Sequence, residues 1–117
     1  MATTLTANFS NQLSWEVVMT GLTSSSTSPT FIGKHFPGMS YVVTGTWSTS
    51  ATTSLQLQGS NDGVNFVNIG SPLTGSGAIT PTGGGISVIY SVYQWVASGG
   101  DSGTSINADV RFSQYSP

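Results

Sequence analysis

Apolar and polar residues alternate along much of this chain, and that period of two constrains the fold more than any other feature. In "SINADVRF", Ile106, Ala108, Val110 and Phe112 alternate with polar or charged residues. Successive side chains of a β-strand point to opposite faces, so such a segment has one core face and one outer face. The same pattern recurs at Leu13, Trp15, Val17 and Met19, at Met39, Tyr41, Val43, Gly45 and Trp47, and at Leu55 and Leu57.

Segments rich in Gly, Ser, Pro, Asn and Asp separate these strands. They lie at 21–29, 36–38, 59–63, 70–77, 81–85 and 98–103. The Gly, Ser, Thr and β-branched content disfavours helices. We therefore predict an all-β fold, an antiparallel β-sandwich or jelly roll of about seven or eight strands, beginning with "TTLTANF" at 3–9. The 117 residues predict a single domain, 1–117, with 1–10 as a candidate N-terminal arm.

Residues 86–97, "ISVIYSVYQWVA", differ from the other segments because both faces of the predicted strand are apolar. One face would hold Ile86, Val88, Tyr90, Val92 and Val96, and the other Ile89, Tyr93, Trp95 and Ala97. Such a strand is either central in a sandwich or covered by another subunit. The preceding "GGG" at 83–85 lacks the spacing of a phosphate-binding loop, and we predict a flexible loop there.

Charged residues are scarce. Only 5% of the chain is Asp, Glu, Lys or Arg, against about 25% in ordinary soluble domains. Two basic residues, Lys34 and Arg111, are too few for the phosphate contacts that nucleic-acid binding needs, and also for a basic membrane-surface helix. No apolar run is long enough to span a membrane, and the N-terminus lacks the features of a signal peptide, so we expect synthesis in a host cytoplasm.

The neutral surface also bears on assembly. Natural β-proteins protect exposed strand edges with Lys, Pro, bulges and inward charges, and this chain has a single Lys. Interface cores are depleted of charge, so the composition favours an oligomer or lattice component with large neutral interfaces. The alternative is a secreted, protease-tolerant domain whose surface is simply neutral.

Residues for catalysis and metal binding are few. His35 lies in "GKHFPG" with no nucleophile motif nearby, and it is expected to be a loop or packing residue. A glycosidase would need Glu16 paired with Asp109 or Asp62, and nothing in the sequence singles out such a pair. A chain with one His and no Cys is also a poor zinc binder. We expect no enzyme activity, no cofactor and no metal.

The stretch "SLQLQGSNDGVNFVNIG" at 54–70 contains two alternating arms around a polar turn. Asp-Gly between such arms predicts a β-hairpin, because Gly63 can adopt a positive φ and Asn61 and Asp62 can form an Asx-turn. The alternation breaks where Phe66 and Val67 are adjacent, which indicates a bulge or a change of sheet. Calcium binding by Asn61 and Asp62 is the functional alternative, but the ligand pattern of a dedicated calcium loop is missing.

The same stretch resembles the strand–turn–strand of discoidin-like, galactose-binding-type jelly rolls, and also segments of small virion proteins of tailed bacteriophages. In the phage proteins it is followed by a "Y-x-W/R-V-x-S/T-GG" strand end, and this chain has "YQWVASGGDSGTSINADVRF" within 90–112. The resemblance covers 54–112, about half of the chain. It implies a jelly-roll virion protein of the capsid decoration (cement) type, a homo-oligomer with a trimer favoured, bound to the major capsid protein on the outside of the head.

Two segments are predicted to make the partner contacts of such a protein, namely the N-terminal arm and the strand with two apolar faces. The residues are Thr3, Thr4, Leu5, Thr6, Phe9, Tyr93 and Trp95. The alternative function is a glycan-binding module of a tail fibre or baseplate, in which Trp47 or Trp95 stacks on a sugar. Ligand-binding relatives hold ligands with Arg, His and acidic side chains, and this chain offers few of them.

Overall fold

The computed structural model describes residues 3–11, 14–33, 36–48, 52–86 and 89–113, which form nine β-strands and no helix. The strands are β1 (Thr4–Asn11), β2 (Ser14–Leu22), β3 (Gly38–Thr46), β4 (Thr53–Ser60), β5 (Val67–Asn68), β6 (Leu73–Gly75), β7 (Thr82–Ile86), β8 (Val92–Gly99) and β9 (Ser105–Ser113). Within these residues, nothing forms a helix that could cross a membrane. The prediction of an all-β fold is confirmed.

The strands form two antiparallel sheets. Sheet A has the order β1-β2-β9-β3-β7. In sheet B, β4 pairs with β8 on one side and with the short strands β5 and β6 on the other. Residues 27–31 add to the other side of β8 through two isolated bridges, Thr27 with Val96 and Phe31 with Tyr93.

The order of the strands is that of a jelly roll. From β2 onward the chain visits sheet A, sheet B (27–31), sheet A (β3), sheet B (β4, then β5 and β6), sheet A (β7), sheet B (β8) and sheet A (β9). Two four-stranded layers result, with β1 added at one edge of sheet A. The predicted β-sandwich or jelly roll is therefore confirmed, with nine described strands because the strand opposite β4 is split into β5 and β6.

The inner faces of the two sheets enclose one apolar core. The face predictions for β2, β3, β4 and β9 are confirmed, except that Leu13 lies outside the described residues. All members of the following set are at most 8% exposed: Val17, Met19, Leu22, Phe31, Met39, Val43, Trp47, Leu55, Leu57, Ile79, Tyr93, Trp95, Ala97, Ile106, Ala108, Val110 and Phe112.

The predicted strand over 86–97 is corrected to two strands in different sheets. β7 ends at Ile86 in sheet A, residues 89–91 are not in a strand, and β8 begins at Val92 in sheet B. The sequence of 86–97 looks apolar on both faces because it joins parts of two strands. The chain passes from sheet A to sheet B between β7 and β8, and each part follows its own alternation. Along β8, Tyr93 and Trp95 face the core, while Gln94 faces outward.

The "GGG" segment is a strand and not the predicted flexible loop. Gly83, Gly84 and Gly85 pair in continuous register with Val42, Tyr41 and Ser40 of β3. A Cβ atom at Gly84 would lie 2.8 Å from the Tyr41 hydroxyl oxygen, so glycine is needed there to let the Tyr41 ring lie against the strand.

Candidate interaction surface

Tyr93 and Trp95 are core residues, which corrects their prediction as partner contacts. Each is 1% exposed. The Trp95 ring meets Tyr41 edge-on at a centroid distance of 5.3 Å, and the Tyr93 ring stacks on Phe31 at 5.8 Å. The Tyr93 hydroxyl accepts a hydrogen bond from the Tyr90 backbone N–H at 3.0 Å, and burial raises the pKa of Tyr93. These side chains hold the two sheets together and are not available to a partner.

The predicted N-terminal arm is an edge strand of sheet A. Thr4, Leu5 and Thr6 pair in register with Thr20, Met19 and Val18 of β2, and Phe9 lies further along β1. The Thr3 hydroxyl donates a hydrogen bond of 3.4 Å to the carbonyl of Gly21. From Thr4 onward the candidate arm is therefore part of β1, in agreement with the predicted first strand at 3–9, and it lies at the margin of the sheet.

The two tryptophans considered as a sugar platform are both buried. Trp47 is 6% exposed, and a Cβ at Gly75 would collide with its Nε1 atom, so its ring covers that glycine. Trp95 lies in the core as described above. Stacking of a sugar on either ring would require opening the sandwich, and the glycan-binding alternative loses the residues it was based on.

The 59–63 turn is a hairpin corner organised by Asp62. Asp62 Oδ1 accepts hydrogen bonds from the backbone N–H groups of Val64 (2.8 Å) and Asn65 (2.7 Å), and from the Ser60 hydroxyl (2.9 Å). Asp62 Oδ2 accepts one from the Asn65 side-chain amide at 2.7 Å. The backbone donors of Asn65 and Val64, followed by the side chains of Asn65 and Ser60, lower the pKa of Asp62 well below its ordinary value.

This network bears on the calcium alternative. Both oxygens of Asp62 already accept hydrogen bonds from the loop itself. Among the described residues, no group of three or more His, Cys, Asp or Glu side chains is placed to hold a metal ion. The 59–63 loop is a closed structural turn, as the predicted β-hairpin requires.

Three of the six charged residues meet on the outer face of sheet A. Arg111 Nη2 lies 3.5 Å from Glu16 Oε2, across the β2–β9 pair. Asp109 lies two residues before Arg111 and also interacts with Glu16. Partial burial, a hydrogen bond with Glu16 and the charge of Glu16 raise the pKa of Asp109, while Arg111 lowers it. Arg111 therefore compensates one of the two negative charges of the trio.

The structure thus brings together Glu16 and Asp109, a pair that the sequence did not single out. Asp62 lies elsewhere, at the hairpin tip between β4 and β5 in sheet B. Glycosidases hold their two carboxyl groups about 5–9.5 Å apart with substrate between them. Glu16 and Asp109 are instead in direct hydrogen-bond contact, which does not match that arrangement. His35 and Lys34 lie outside the described residues.

Among the residues whose side chains the structure describes, the rest of this outer face is uncharged. Val42 of β3 lies beside Asp109 on one side and Gly83 on the other, and it is 47% exposed. Ser40 has Arg111 and Gly85 as its register partners. The face therefore runs from the charged trio to a row of bare glycines. The sequence showed these residues at the polar positions of their strands, but the order of the strands that makes them neighbours had no sequence signal.

Comparison with known proteins identifies no family. No protein-family model matches the chain, and no curated protein matches it. Among solved structures, the chain is similar to one described under "Bacillus endospore appendages form a novel family of disulfide-linked pili", with a TM-score of 0.48 and 6% sequence identity. That match covers 98% of this chain and 93% of the other.

Proposed function

We propose that this chain is a structural virion protein that binds the outside of an assembled bacteriophage head and stabilises contacts between capsomers. The resemblance of 54–112 to small phage virion proteins is the reason for this choice of partner. The observation that carries the proposal is the broad, nearly neutral outer face of sheet A. That face replaces Tyr93 and Trp95 as the proposed contact, since those two residues are buried.

The size of the face suits a protein interface. Its five strands, at ~4.8 Å spacing, and the nine residues of β9, at ~3.4 Å each, span roughly 20 by 30 Å, or ~600 Å². A stable protein–protein interface buries ~800 Å² on each partner. The face alone thus supplies most of one standard contact, and β1, which contains Thr4 and Thr6, forms one margin of it.

The chemistry of the face also suits an interface. Interface cores contain few uncompensated charges, because burying a lone charge is costly. Here Glu16 and Arg111 are already paired with each other, and Asp109 shares the cluster. Val42 offers exposed apolar surface beside them.

Stabilisation of the shell would follow from mass action. A protein that binds the assembled shell, and not its separated subunits, stabilises the assembled state by its binding free energy at each site. Many equivalent sites on one shell multiply this contribution. Neither the fold nor the proposed face needs a cofactor for this role.

Co-sedimentation with intact heads and, separately, with tails of the phage that encodes the chain tests the proposal. We expect saturable binding to heads, together with heads that resist a higher temperature. Binding to tails alone, or to neither particle, would contradict the proposed function.

Two matched substitutions test the face. Val42→Lys places a charge in the middle of the outer face of sheet A, while Val67→Lys places the same charge on sheet B at a residue of similar exposure, 47% against 50%. We expect Val42→Lys to weaken head binding about tenfold or more, an effect of about 1.4 kcal/mol, and Val67→Lys to bind like the parent. Equal binding by both variants would rule out this face as the contact.

A further inference from the structure

The four edges of the two sheets differ in how they are protected against pairing with another strand. At β1, the register with β2 shifts between Asn8 and Asn11, which marks a bulge. On sheet B, β5 and β6 have two and three residues and are separated by 69–72, which includes Pro72. The 27–31 edge makes only isolated bridges and includes Pro29. Bulges, short strands and prolines are the usual means of blocking an edge.

The fourth edge, β7, is free of these features within its own five residues, although Pro81 comes directly before it and the register with β3 shifts by one residue between the Thr46–Ala78 bridge and the Val43–Thr82 pair. Its five residues, Thr82–Ile86, pair with β3 in continuous register, with no bulge, proline or charge. Gly83 and Gly85 have no side chain that could shield the backbone. A bare, regularly paired edge of this kind can accept an added strand, although it offers only five residues.

The backbone groups of β7 that have no partner among the described residues can be identified. The Ile79 N–H donates to the Gly45 carbonyl, and the Trp47 N–H donates to the Gly77 carbonyl. The odd-numbered residues at and just after the end of β3 therefore point their backbone groups toward the side of β3 on which β7 lies. The Tyr41 carbonyl oxygen likewise lies within 2.9 Å of the position of a Gly83 Cβ. Tyr41 and Gly84 are therefore a hydrogen-bonded pair.

In an antiparallel ladder, hydrogen-bonded pairs alternate with pairs whose backbone groups point the other way. The N–H and C=O groups of Gly83 and Gly85 consequently point away from β3, toward the open edge. Gly84, which lies between them, uses its own groups within the sheet. Two residues thus present two donors and two acceptors to an incoming strand.

We propose that this edge binds the same edge of a second copy of the chain, with the two β7 strands antiparallel and centred on Gly84. In that register Gly83 of each copy faces Gly85 of the other, and both residues are outward-pointing. All four donors and all four acceptors of the two copies are then paired. The match is self-complementary, as a two-fold interface requires.

Other pairings of this edge fit less well. β1 and β7 run in the same direction in sheet A, since each neighbouring pair in the β1-β2-β9-β3-β7 order is antiparallel. Head-to-tail joining of β7 to β1 would therefore be parallel and would meet the β1 bulge. A two-fold pair accordingly replaces the trimer that the resemblance implied.

The pair would also extend the surface proposed above. A two-fold axis perpendicular to the joined sheet leaves both outer faces on the same side, giving one continuous ten-stranded surface. Formation of the pair does not depend on head binding, so it is measured on the isolated protein and can fail or succeed separately from the proposed function. Because the strand contact is short, we expect a dissociation constant between roughly 1 µM and 1 mM.

Sedimentation equilibrium of the full chain across this range, with two variants at one position, tests the pairing. Gly85→Pro removes an N–H that β3 does not use and puts the proline ring toward the partner, whereas Gly85→Ala keeps the N–H. We expect the parent and Gly85→Ala to form pairs of the 12.1 kDa chain, and Gly85→Pro to raise the dissociation constant about tenfold or more. A monomer at about 1 mM, a trimer, or equal pairing by both variants would overturn the proposal.

A cysteine cross-link gives a second test that does not rely on Gly85→Pro folding. The chain has no cysteine. In the proposed register Thr82 of one copy faces Ile86 of the other at a Cα distance of ~4.5 Å, within the range for a disulfide. We expect the double variant Thr82→Cys/Ile86→Cys to form covalent pairs under mild oxidation, and Thr82→Cys alone to form few. Equal cross-linking of the single and double variants would overturn the register.

Discussion

Two glycine-containing segments of this protein, the turn at 59–63 and the strand at 83–85, need glycine for different reasons. Gly63 has a φ of 76° and nothing within 4 Å of the position of a Cβ. Gly84 has no unusual φ, but a Cβ there would lie 2.8 Å from the Tyr41 hydroxyl oxygen. One position is restricted by backbone conformation and the other by space.

The difference explains why one segment was predicted correctly and the other was not. A positive φ in a turn is a local property, and "NDG" between alternating arms is enough to indicate it. The close approach of Tyr41 to Gly84 is a contact between residues more than forty positions apart in the chain. No local pattern distinguishes a strand that glycine makes room for from a flexible glycine loop.

The largest effect is expected from filling the space at Gly84. Gly84→Val should cost about 1–3 kcal/mol of stability, since the new side chain displaces Tyr41 from its edge contact with Trp95. Denaturant unfolding measures this cost. In a Tyr41→Ala background the same substitution should cost less, with a coupling of at least ~0.5 kcal/mol. Additive effects would mean that Tyr41 is not what excludes a side chain at Gly84.

A smaller effect is expected at Gly63. Gly63→Ala should cost about 1 kcal/mol from its positive φ alone, because there is open space around the new methyl group. Gly63→Asn is the matched control, since Asn tolerates this conformation better than Ala and should cost less. At Gly84 the order should reverse, with Asn worse than Ala because it is larger. If Ala and Asn ranked in the same order of stability cost at both positions, backbone conformation at Gly63 and limited space at Gly84 would not be separate causes.

Much of the fold was predictable from the sequence, because period-two alternation reports directly on which face of a strand is buried. Phe112, Val110 and Val17 lie in the core as predicted. The two-strand nature of 86–97 was not predictable, because its apolar residues reflect two successive environments and the sheet change lies between them. An apolar run alone cannot show that.

The candidate interaction surface was less predictable than the fold. Tyr93 and Trp95 were assigned to a partner because 86–97 was interpreted as one strand with two apolar faces, and aromatic residues are common both in cores and in interfaces. Glu16, Asp109 and Arg111 form a cluster because β2 and β9 are neighbours despite their distance in sequence. The open edge at β7 became visible only with the strand order.

The hairpin carboxylate should make stability fall in acid. The pKa of Asp62 is lowered in the folded protein, so its contribution is present above its ordinary value of 3.8 and is lost as pH falls below it. Asp62→Asn should therefore be less stable than the parent at about pH 6, with a smaller difference below 3.8. Asn65→Ala, which removes one of the four donors, should show the same trend more weakly. Urea midpoints across this pH range measure both, and a constant difference would mean that the loop does not hold Asp62 ionised.

The smallest effect, with the opposite sign, is expected from the sheet carboxylate. The pKa of Asp109 is raised by partial burial and by Glu16, so the folded protein holds a proton that the unfolded chain has released. Stability from this group is present below its ordinary value of 3.8 and falls as pH rises through the window above it. Asp109→Asn should remove that loss and raise the free energy of unfolding near neutral pH, measured by urea titration, by no more than about 0.5 kcal/mol because the residue is exposed.

Arg111→Gln is the matched comparison for Asp109→Asn. Arg111 lowers the pKa of Asp109 and pairs with Glu16, so its removal should make stability depend more steeply on pH. A rise for Asp109→Asn and a fall for Arg111→Gln would show that the three charges are coupled, with one cation between two acids. If both variants behaved like the parent, the three side chains would act as independent surface charges. An interface at the outer face of sheet A would then have to bury three uncoupled charges, which is the property least compatible with the interface proposed for it.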